Sequence, residues 1–459
     1  MCADKKNRVS VGPISGFPEW TPAERILEQR MLDTIRTSFE RYGFSPIETS
    51  SVERNEVLTA KGGSETERQI YRLTSLHPQS ADDARDYSLH FDLTVPLARY
   101  VAQRYGDLVF PFRRYQIQKV WRGERPQHGR FREFTQCDID IVGDGELGMM
   151  ADAEIPAVIT EVFTRLNIGN FCIRISNRKI LTGYLEHLGF SEVETADILR
   201  EADKVDRQGE GPVRKYLQEN GADESKVESI LGLVKAEGSS QDILKLLKSM
   251  TGIGERFEQG VSELSTVVEF AASFGIPNAN LQVDLGIIRG LDYYTGTIYE
   301  TRLTDHPQLG SICSGGRYDD LASYFVGRAL PGVGISIGLS RLFSQLIKAE
   351  ILQPGPATMA PVLVATPDEF IYRKAIEMAS DLRSAGIDTE IYFEKARLAR
   401  QLRYASRKGF KIVVIPLDED LAEGKIRFKD MESGEEQIVL MADLSPEVAR
   451  TIDKENASA

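Results

Sequence analysis

Between Lys119 and Gly143 the chain reads KVWRGERPQHGRFREFTQCDIDIVG. Arg122 and Glu124 stand two apart, and so do Gln136, Asp138 and Asp140. If residues 108–121 and 134–142 are antiparallel strands joined by the polar stretch 123–130, alternate side chains share a face. A sheet face carrying Arg, Glu, Gln and Asp makes a poor apolar surface. Buried charge must be paired or bound to a ligand. Two readings compete: a surface hairpin with solvated charges, and the polar floor of a pocket. The density of polar side chains favours the pocket. A guanidinium fork matches phosphate or carboxylate by two-point contact, so Arg122 suits either group.

FDLTVP spans 91–96, RGLDYYTG spans 289–296 and GSICSGGRYDDL spans 310–321. PGVGISIGLSRL, 331–342, is a Gly-rich strand running into a helix that carries Arg341. Packing explains such glycines about as well as phosphate binding does.

These residues need positioning elements. Thr21-Pro22-Ala23-Glu24 is a capping box with Pro at N1, and Leu27, Met31, Ile35 and Phe39 follow at helical spacing up to Gly43. A strand beside Pro46 comes next. A helix over 150–166 precedes a strand at 171–176. Residues 190–262 are Glu- and Lys-rich and poor in strand formers, which predicts an inserted helical module. Strands resume at 281–288 and 297–303, and a helix covers 339–350. LQPGPATMAP, 352–361, is a linker. Beyond it, strands at PVLVATP, 387–393 and FKIVVIP alternate with helices at 368–385 and 396–408, the pattern of a parallel-rich α/β sheet. In the second helix Leu398, Leu402 and Ala405 share one side, and Arg397, Arg400, Arg403 and Arg407 another.

The whole chain sets bounds. Its 459 residues exceed one compact core and predict two or three domains. No stretch approaches the ~20 apolar residues that span a bilayer, and the N-terminus has no apolar signal region. Scattered cysteines (Cys2, Cys137, Cys172, Cys313) form no disulfide framework, and scattered histidines no zinc site. A cytoplasmic protein without a structural metal or membrane partner is expected. The net charge of −13 repels nucleic acid on average, so a polyanion must meet local basic patches. Two runs offer them, 113–132 and 395–411, with seven Lys or Arg each.

Residues 119–143 resemble motif 2 of the class II aminoacyl-tRNA synthetases, 331–342 resemble motif 3, and 44–52 around Pro46 resemble the dimer-forming motif 1. RGLDYYTG and GSICSGGRYDDL narrow the resemblance to histidyl-tRNA synthetases, and it extends from about residue 12 to 445. It implies an α+β catalytic domain with a mainly antiparallel class II synthetase sheet over 1–350, carrying the helical module at about 190–262. A linker at 351–361, a C-terminal α/β anticodon-binding domain at 362–447 and a tail at 448–459 would follow. It implies ATP as substrate with Mg²⁺, L-histidine and tRNA(His) as partners, and a homodimer.

The resemblance also assigns roles. Arg122, Arg289 and Arg341 would gather the triphosphate and act catalytically. Glu124, Arg130 and Phe134 would complete the ATP site, with Phe134 stacking on adenine. Asp92, Thr94 and Gln136 would surround the histidine ammonium, Arg122 would hold the carboxylate, and Asp140, Tyr293 and Tyr294 would line the imidazole pocket. Leu93 also belongs to the implied histidine site, as does Arg289, a second cation at the α-phosphate. Arg125 and Gln127 would touch the tRNA acceptor end, and Arg397, Arg400, Arg403 and Arg407 the anticodon. Most family members have Arg two residues before Asp92; this chain has His90 and no role follows for it. The rival reading is a synthetase-like regulatory paralogue that binds histidine or tRNA without aminoacylation. Such paralogues tend to lose phosphate-binding arginines or the anticodon domain, and this chain keeps both.

Overall fold

The computed structural model describes residues 11–60, 68–76, 86–125, 129–202, 209–220, 222–288, 294–319 and 325–458. The chain divides into two compact units. One comprises Met1–Pro18 and Leu32–Leu352, the other Glu19–Met31 and Gln353–Ala459. The first helix, Pro22–Arg41, starts at the predicted box: Thr21 N donates to Glu24 Oε2 at 2.8 Å.

In the larger unit β1 (Ser45–Pro46) is cut short beside its proline. The strands β2 (Val52–Arg54) and β3 (Tyr87–Leu89) form a separate two-stranded ladder. The predicted hairpin is β4 (Phe112–Trp121) with β5 (Glu133–Val142), paired antiparallel over their full lengths. Then come β6 (Phe171–Asn177), β7 (Leu281–Val283), β8 (Thr297–Leu303), β9 (Ser311–Tyr318) and β10 (Gly332–Gly338). The strand expected over 281–288 ends early because Asp284 turns the chain, its Oδ1 accepting from Gly286 N at 2.9 Å. The eight-stranded order is β1-β4-β5-β10-β9-β8-β6-β7. Only the outer pairs β1·β4 and β6·β7 are parallel, so the sheet is mainly antiparallel.

The register gives this sheet two unlike faces. On one side Tyr115, Ile139 and Ile335 stand in line and are buried, Tyr115 against Phe39 of the first helix; the Met149–Leu166 helix meets this face too, its Asp152 carbonyl accepting from Tyr299 Oη at 2.7 Å. On the other side Gln116, Asp138, Ser336, Ser314, Glu300 and Arg174 form a polar row across six strands. The adjacent row is Arg114, Asp140, Gly334, Gly316. Between β6 and β7 lies the helical module. Its described helices run from Arg178–His187 to Glu255–Ser273, further than the expected 262.

In the smaller unit β11 (Val362–Val364), β12 (Thr389–Ile391) and β13 (Ile412–Ile415) are parallel. Their alternate residues feed two apolar clusters: Val362, Val364, Ile412 and Val414 on one side, Leu363, Val413 and Ile415 on the other. Burial on both faces explains their unbroken apolar sequence. Two antiparallel strands, β14 (Lys425–Asp430) and β15 (Glu436–Leu440), extend the sheet beyond the expected pattern. The stretch read as a tail belongs to the Leu444–Ser458 helix, and Val448 is wholly buried in the core. No helix among the described residues is long and apolar enough to cross a membrane.

Candidate active site

A cavity of about 560 Å³ lies on the polar face of the eight-stranded sheet. Asp92 and Thr94, at the start of the Thr94–Arg104 helix, form one edge. Arg122, Glu124, Arg130 and Phe134 come from the mouth of the β4–β5 hairpin, Gln136 and Asp140 from β5, and Tyr294 and Arg341 from elements around β8 and β10. Ten of the residues named from sequence therefore line one cavity. Leu93 does not: its side chain is fully buried in the core, turned away between Asp92 and Thr94. Arg289, Tyr293 and Gln127 lie outside the described residues. Arg125 is exposed beyond the cavity wall.

The polar atoms are held by short-range contacts. Arg122 Nε donates to the Phe91 carbonyl at 3.0 Å, and its guanidinium sits 5.1 Å above the Phe134 ring. Arg130 pairs with Glu124 at 3.3 Å. Gln136 Nε2 donates to Ser336 Oγ at 2.6 Å, which aims its Oε1 elsewhere. Asp92 Oδ1 accepts from Val95 N at 3.2 Å. Asp92 Oδ2 and Gln136 Oε1 are buried acceptors without a hydrogen-bond partner among the described residues. Orphaned buried acceptors cost stability unless a donor arrives, and an ammonium brings three.

Asp140 is more tightly engaged. Its Oδ2 lies 2.5 Å from Arg114 Nη2, and its Oδ1 accepts from Tyr318 Oη at 2.8 Å. Asp92, Asp138 and Asp140 thus sit buried together, with Arg114 and Arg122 the cations that act on them among the described residues. Burial pushes the three carboxyls up, to about 6, about 7 and about 6 respectively, against the pull of those guanidinium groups. An additional positive charge in the cavity would restore them to their ionised form.

Arg114, Asp138 and Tyr318 were not named as site residues from sequence. Asp138 could have been, since it alternates between Gln136 and Asp140. Arg114 was counted in the basic run 113–132, and that run is not one surface. Arg114 is wholly buried, Arg113 pairs with Glu154 at 2.8 Å and Lys119 with Glu133 at 2.6 Å, while Arg122 turns into the cavity. Alternation across strands disperses a linear charge cluster over two faces. The same alternation splits GGRYD: Tyr318 reaches the cavity, while Arg317 turns to the opposite face and pairs with Asp152 at 2.6 Å. His90 is a core residue. It is fully buried, hydrogen-bonded through Nε2 to the Lys119 carbonyl at 2.7 Å, and its pKa is lowered by burial.

Gly332 and Gly334 explain why β10 is Gly-rich. A Cβ on Gly334 would lie 2.3 Å from Asp140 Oδ1, and one on Gly332 would lie 2.4 Å from the Tyr318 ring. The glycines leave room for the buried carboxylate and its tyrosine.

The Histidyl-tRNA synthetase family model matches residues 16–342, well over half of the chain. This chain belongs to the histidyl-tRNA synthetase family. A second model, the Anticodon binding domain, matches residues 361–451. The histidine–tRNA ligase of Clostridium tetani is 45% identical over 433 residues, covering 94% of this chain and 97% of the relative. That of Stenotrophomonas maltophilia is 46% identical over 429 residues, covering 91% and 92%. The crystal structure of histidyl-tRNA synthetase from Nostoc sp. superposes with a TM-score of 0.88 at 43% identity, covering 96% of this chain and all of that one. A Bacillus halodurans structure titled as an ATP phosphoribosyltransferase regulatory subunit/histidyl-tRNA synthetase has a TM-score of 0.71 at 20% identity and shares the fold alone. The family and the class II synthetase fold read from the motifs are both borne out. In this histidyl-tRNA synthetase family member, the cavity lies where the segments 119–143, 310–321 and 331–342 meet on one sheet.

Proposed function

We infer that this chain is a histidine–tRNA ligase: it activates L-histidine with ATP to histidyl-adenylate and transfers the histidyl group to tRNA(His). The observation that carries this reading is the pairing of two orphaned acceptors, Asp92 Oδ2 and Gln136 Oε1, with a buried carboxylate, Asp140, in one cavity with Arg122 and Arg341. The acceptors suit an ammonium, the carboxylate an imidazole N–H, and the cations a carboxylate and a triphosphate.

In the first step a histidine carboxylate oxygen attacks the ATP α-phosphorus in line, and pyrophosphate leaves. Arg122, Arg289 and Arg341 offset the charge that develops, so the protein contributes positioning and preorganised cations rather than covalent chemistry. Asp92, Thr94 and Gln136 hold the ammonium, with Leu93 contributing main chain only. Asp140, Tyr293 and Tyr294 read the imidazole. Glu124 faces the adenosine, Arg130 leaves Glu124 for the phosphates, and Phe134 stacks on the base. Mg²⁺, a hard ion bound by few protein oxygens plus phosphates, would supply positive charge at the leaving group; Glu124 is the cavity carboxylate that would help hold it, since Glu300 is buried and already paired with Arg174 and Arg302. In the second step the tRNA 3′ hydroxyl attacks the aminoacyl carbonyl and AMP departs. A phosphate oxygen of the adenylate takes the proton.

Arg125 and Gln127 meet the acceptor end. Arg400, Arg403 and Arg407 on the Leu398–Lys408 helix and Arg397 at its N-cap, all exposed, hold anticodon phosphates. The protein works as a homodimer in the cytoplasm. ATP–pyrophosphate exchange across all twenty amino acids tests the assignment. Exchange with histidine alone, followed by charging of tRNA(His), is expected; histidine binding without exchange would instead identify a regulatory protein.

A further inference from the structure

We propose that Arg114 is the positioning residue for side-chain recognition: paired with Asp140 across the β4–β5 ladder, it fixes one carboxylate against Tyr318 at the bottom of the cavity, oriented to accept an imidazole N–H. The proposal rests on the reading that Asp140 receives the imidazole. It adds a residue outside the motifs, one that lines no part of the cavity itself.

Three observations carry it. Arg114 and Asp140 are direct partners in register, so their side chains rise from the same face of adjacent strands. Arg114 is wholly buried, with neither Nε nor Nη2 in a hydrogen bond among the described residues and Nη1 3.5 Å from Gln116 Oε1; Nη2 meets Asp140 Oδ2 as an ion pair at 2.5 Å. Its close approach to Asp140 is therefore its dominant interaction. Finally, the carboxylate has no freedom: Arg114 holds Oδ2, Tyr318 holds Oδ1, and the main chain at Gly334 lies directly against it. A carboxylate offers about four acceptor positions. One accepts from Tyr318 Oη, the ion-paired Arg114 guanidinium covers the Oδ2 side, and the positions directed into the cavity remain for the substrate. Arg114 also cancels the charge of Asp140, so the bottom of the cavity suits a neutral ring. Arginine fits this task because its cation cannot be deprotonated and its planar fork sets direction as well as charge.

A guanidinium that merely tied two strands together would affect folding and both substrates alike, and this separates the two roles. The experiment compares Arg114→Lys, Arg114→Met and Asp140→Asn by histidine-dependent pyrophosphate exchange. Asp140→Asn tests the underlying reading: a histidine KM raised about tenfold or more is expected, and an unchanged one would overturn that reading. Arg114→Lys keeps the charge and the fold. It is expected to raise the histidine KM about fivefold, with kcat and the KM for ATP within about twofold. Arg114→Met should raise it further. It should also move the acidic limb of kcat/KM for histidine upward by about one pH unit, because among the described residues Asp140 then faces Asp92 and Asp138 with Arg122 and the Tyr318 hydroxyl left to oppose them. If Asp140→Asn impairs histidine use but Arg114→Lys leaves the histidine KM unchanged, or raises both KM values equally, Arg114 has no positioning role.

Discussion

Arginine is used in two opposite ways in this chain. Arg114 is 0% exposed and meets one carboxylate in a fixed geometry, whereas the side chain of Arg400, on the Leu398–Lys408 helix, is 66% exposed and reaches Glu394 only at 3.3 Å. Under a sheet, each charge is an individual with one partner, and removing it strands another charge. On a helix surface the charges are solvated, screened and interchangeable. The cavity floor should therefore respond to substitution sharply and residue by residue, and the arginine row weakly and in sum.

The largest expected effect is in the cavity. Arg122→Ala should lower histidine-dependent exchange by about 10³-fold, the scale of losing a preorganised charge-stabilising donor. A loss below tenfold would erase the contrast with the surface row. Gly334→Ala comes next, because its methyl group meets Asp140 Oδ1 at 2.3 Å. About a hundredfold rise in histidine KM is expected from such a misplacement, with the KM for ATP little changed.

The row should give a milder result. Arg400→Glu combined with Arg403→Glu is expected to raise the KM for tRNA about tenfold at low salt, with the difference shrinking as salt rises and exchange unaffected. Equal loss of exchange would mean that the row matters to folding or catalysis.

Smaller still is a pH effect of the floor. Asp92, Asp138 and Asp140 are raised to about 6, about 7 and about 6, above the ordinary carboxyl value. Groups raised in the fold stabilise it fully below the unfolded value of about 3.9, and that contribution fades as pH climbs through 6 and 7. The ligand-free protein should thus melt earlier at pH 7.5 than at pH 5.5 on this account, and histidine should stabilise it more at pH 7.5. Deprotonation of the free imidazole acts in the same direction, so Asp138→Asn is the control: it should flatten the dependence, as followed by thermal melting. The least effect belongs to Thr21→Ala. Loss of the cap should cost about 1 kcal/mol of stability and leave exchange untouched.

What could be read from sequence divides along the same line. Period-two spacing put Gln136 and Asp140 on one face, and helical spacing put the four arginines on another, because each pattern is local. The partnership of Arg114 with Asp140 depends on register across the hairpin, where a slip of one residue would reverse every side chain. Nothing in 119–143 alone sets that register. Strand β14 carried a local signal, Ile426 and Phe428 alternating with Lys425, Arg427 and Lys429, but its charged residues hid it. The helix over Leu444–Ser458 gives little signal for the converse reason: it has few apolar residues, and among its described side chains Leu444 and Val448 are buried.

The glycines of β10 have a consequence for redesign. Where Asp140 and Tyr318 rest on bare peptide, no wall residue can be trimmed to admit a bulkier amino acid. Enlarging the binding chamber means spreading strands apart, at the expense of the ladder that joins β5, β10 and β9. Shrinking it takes a single carbon. Selection on this scaffold can therefore exclude larger amino acids far more readily than it can come to accept them.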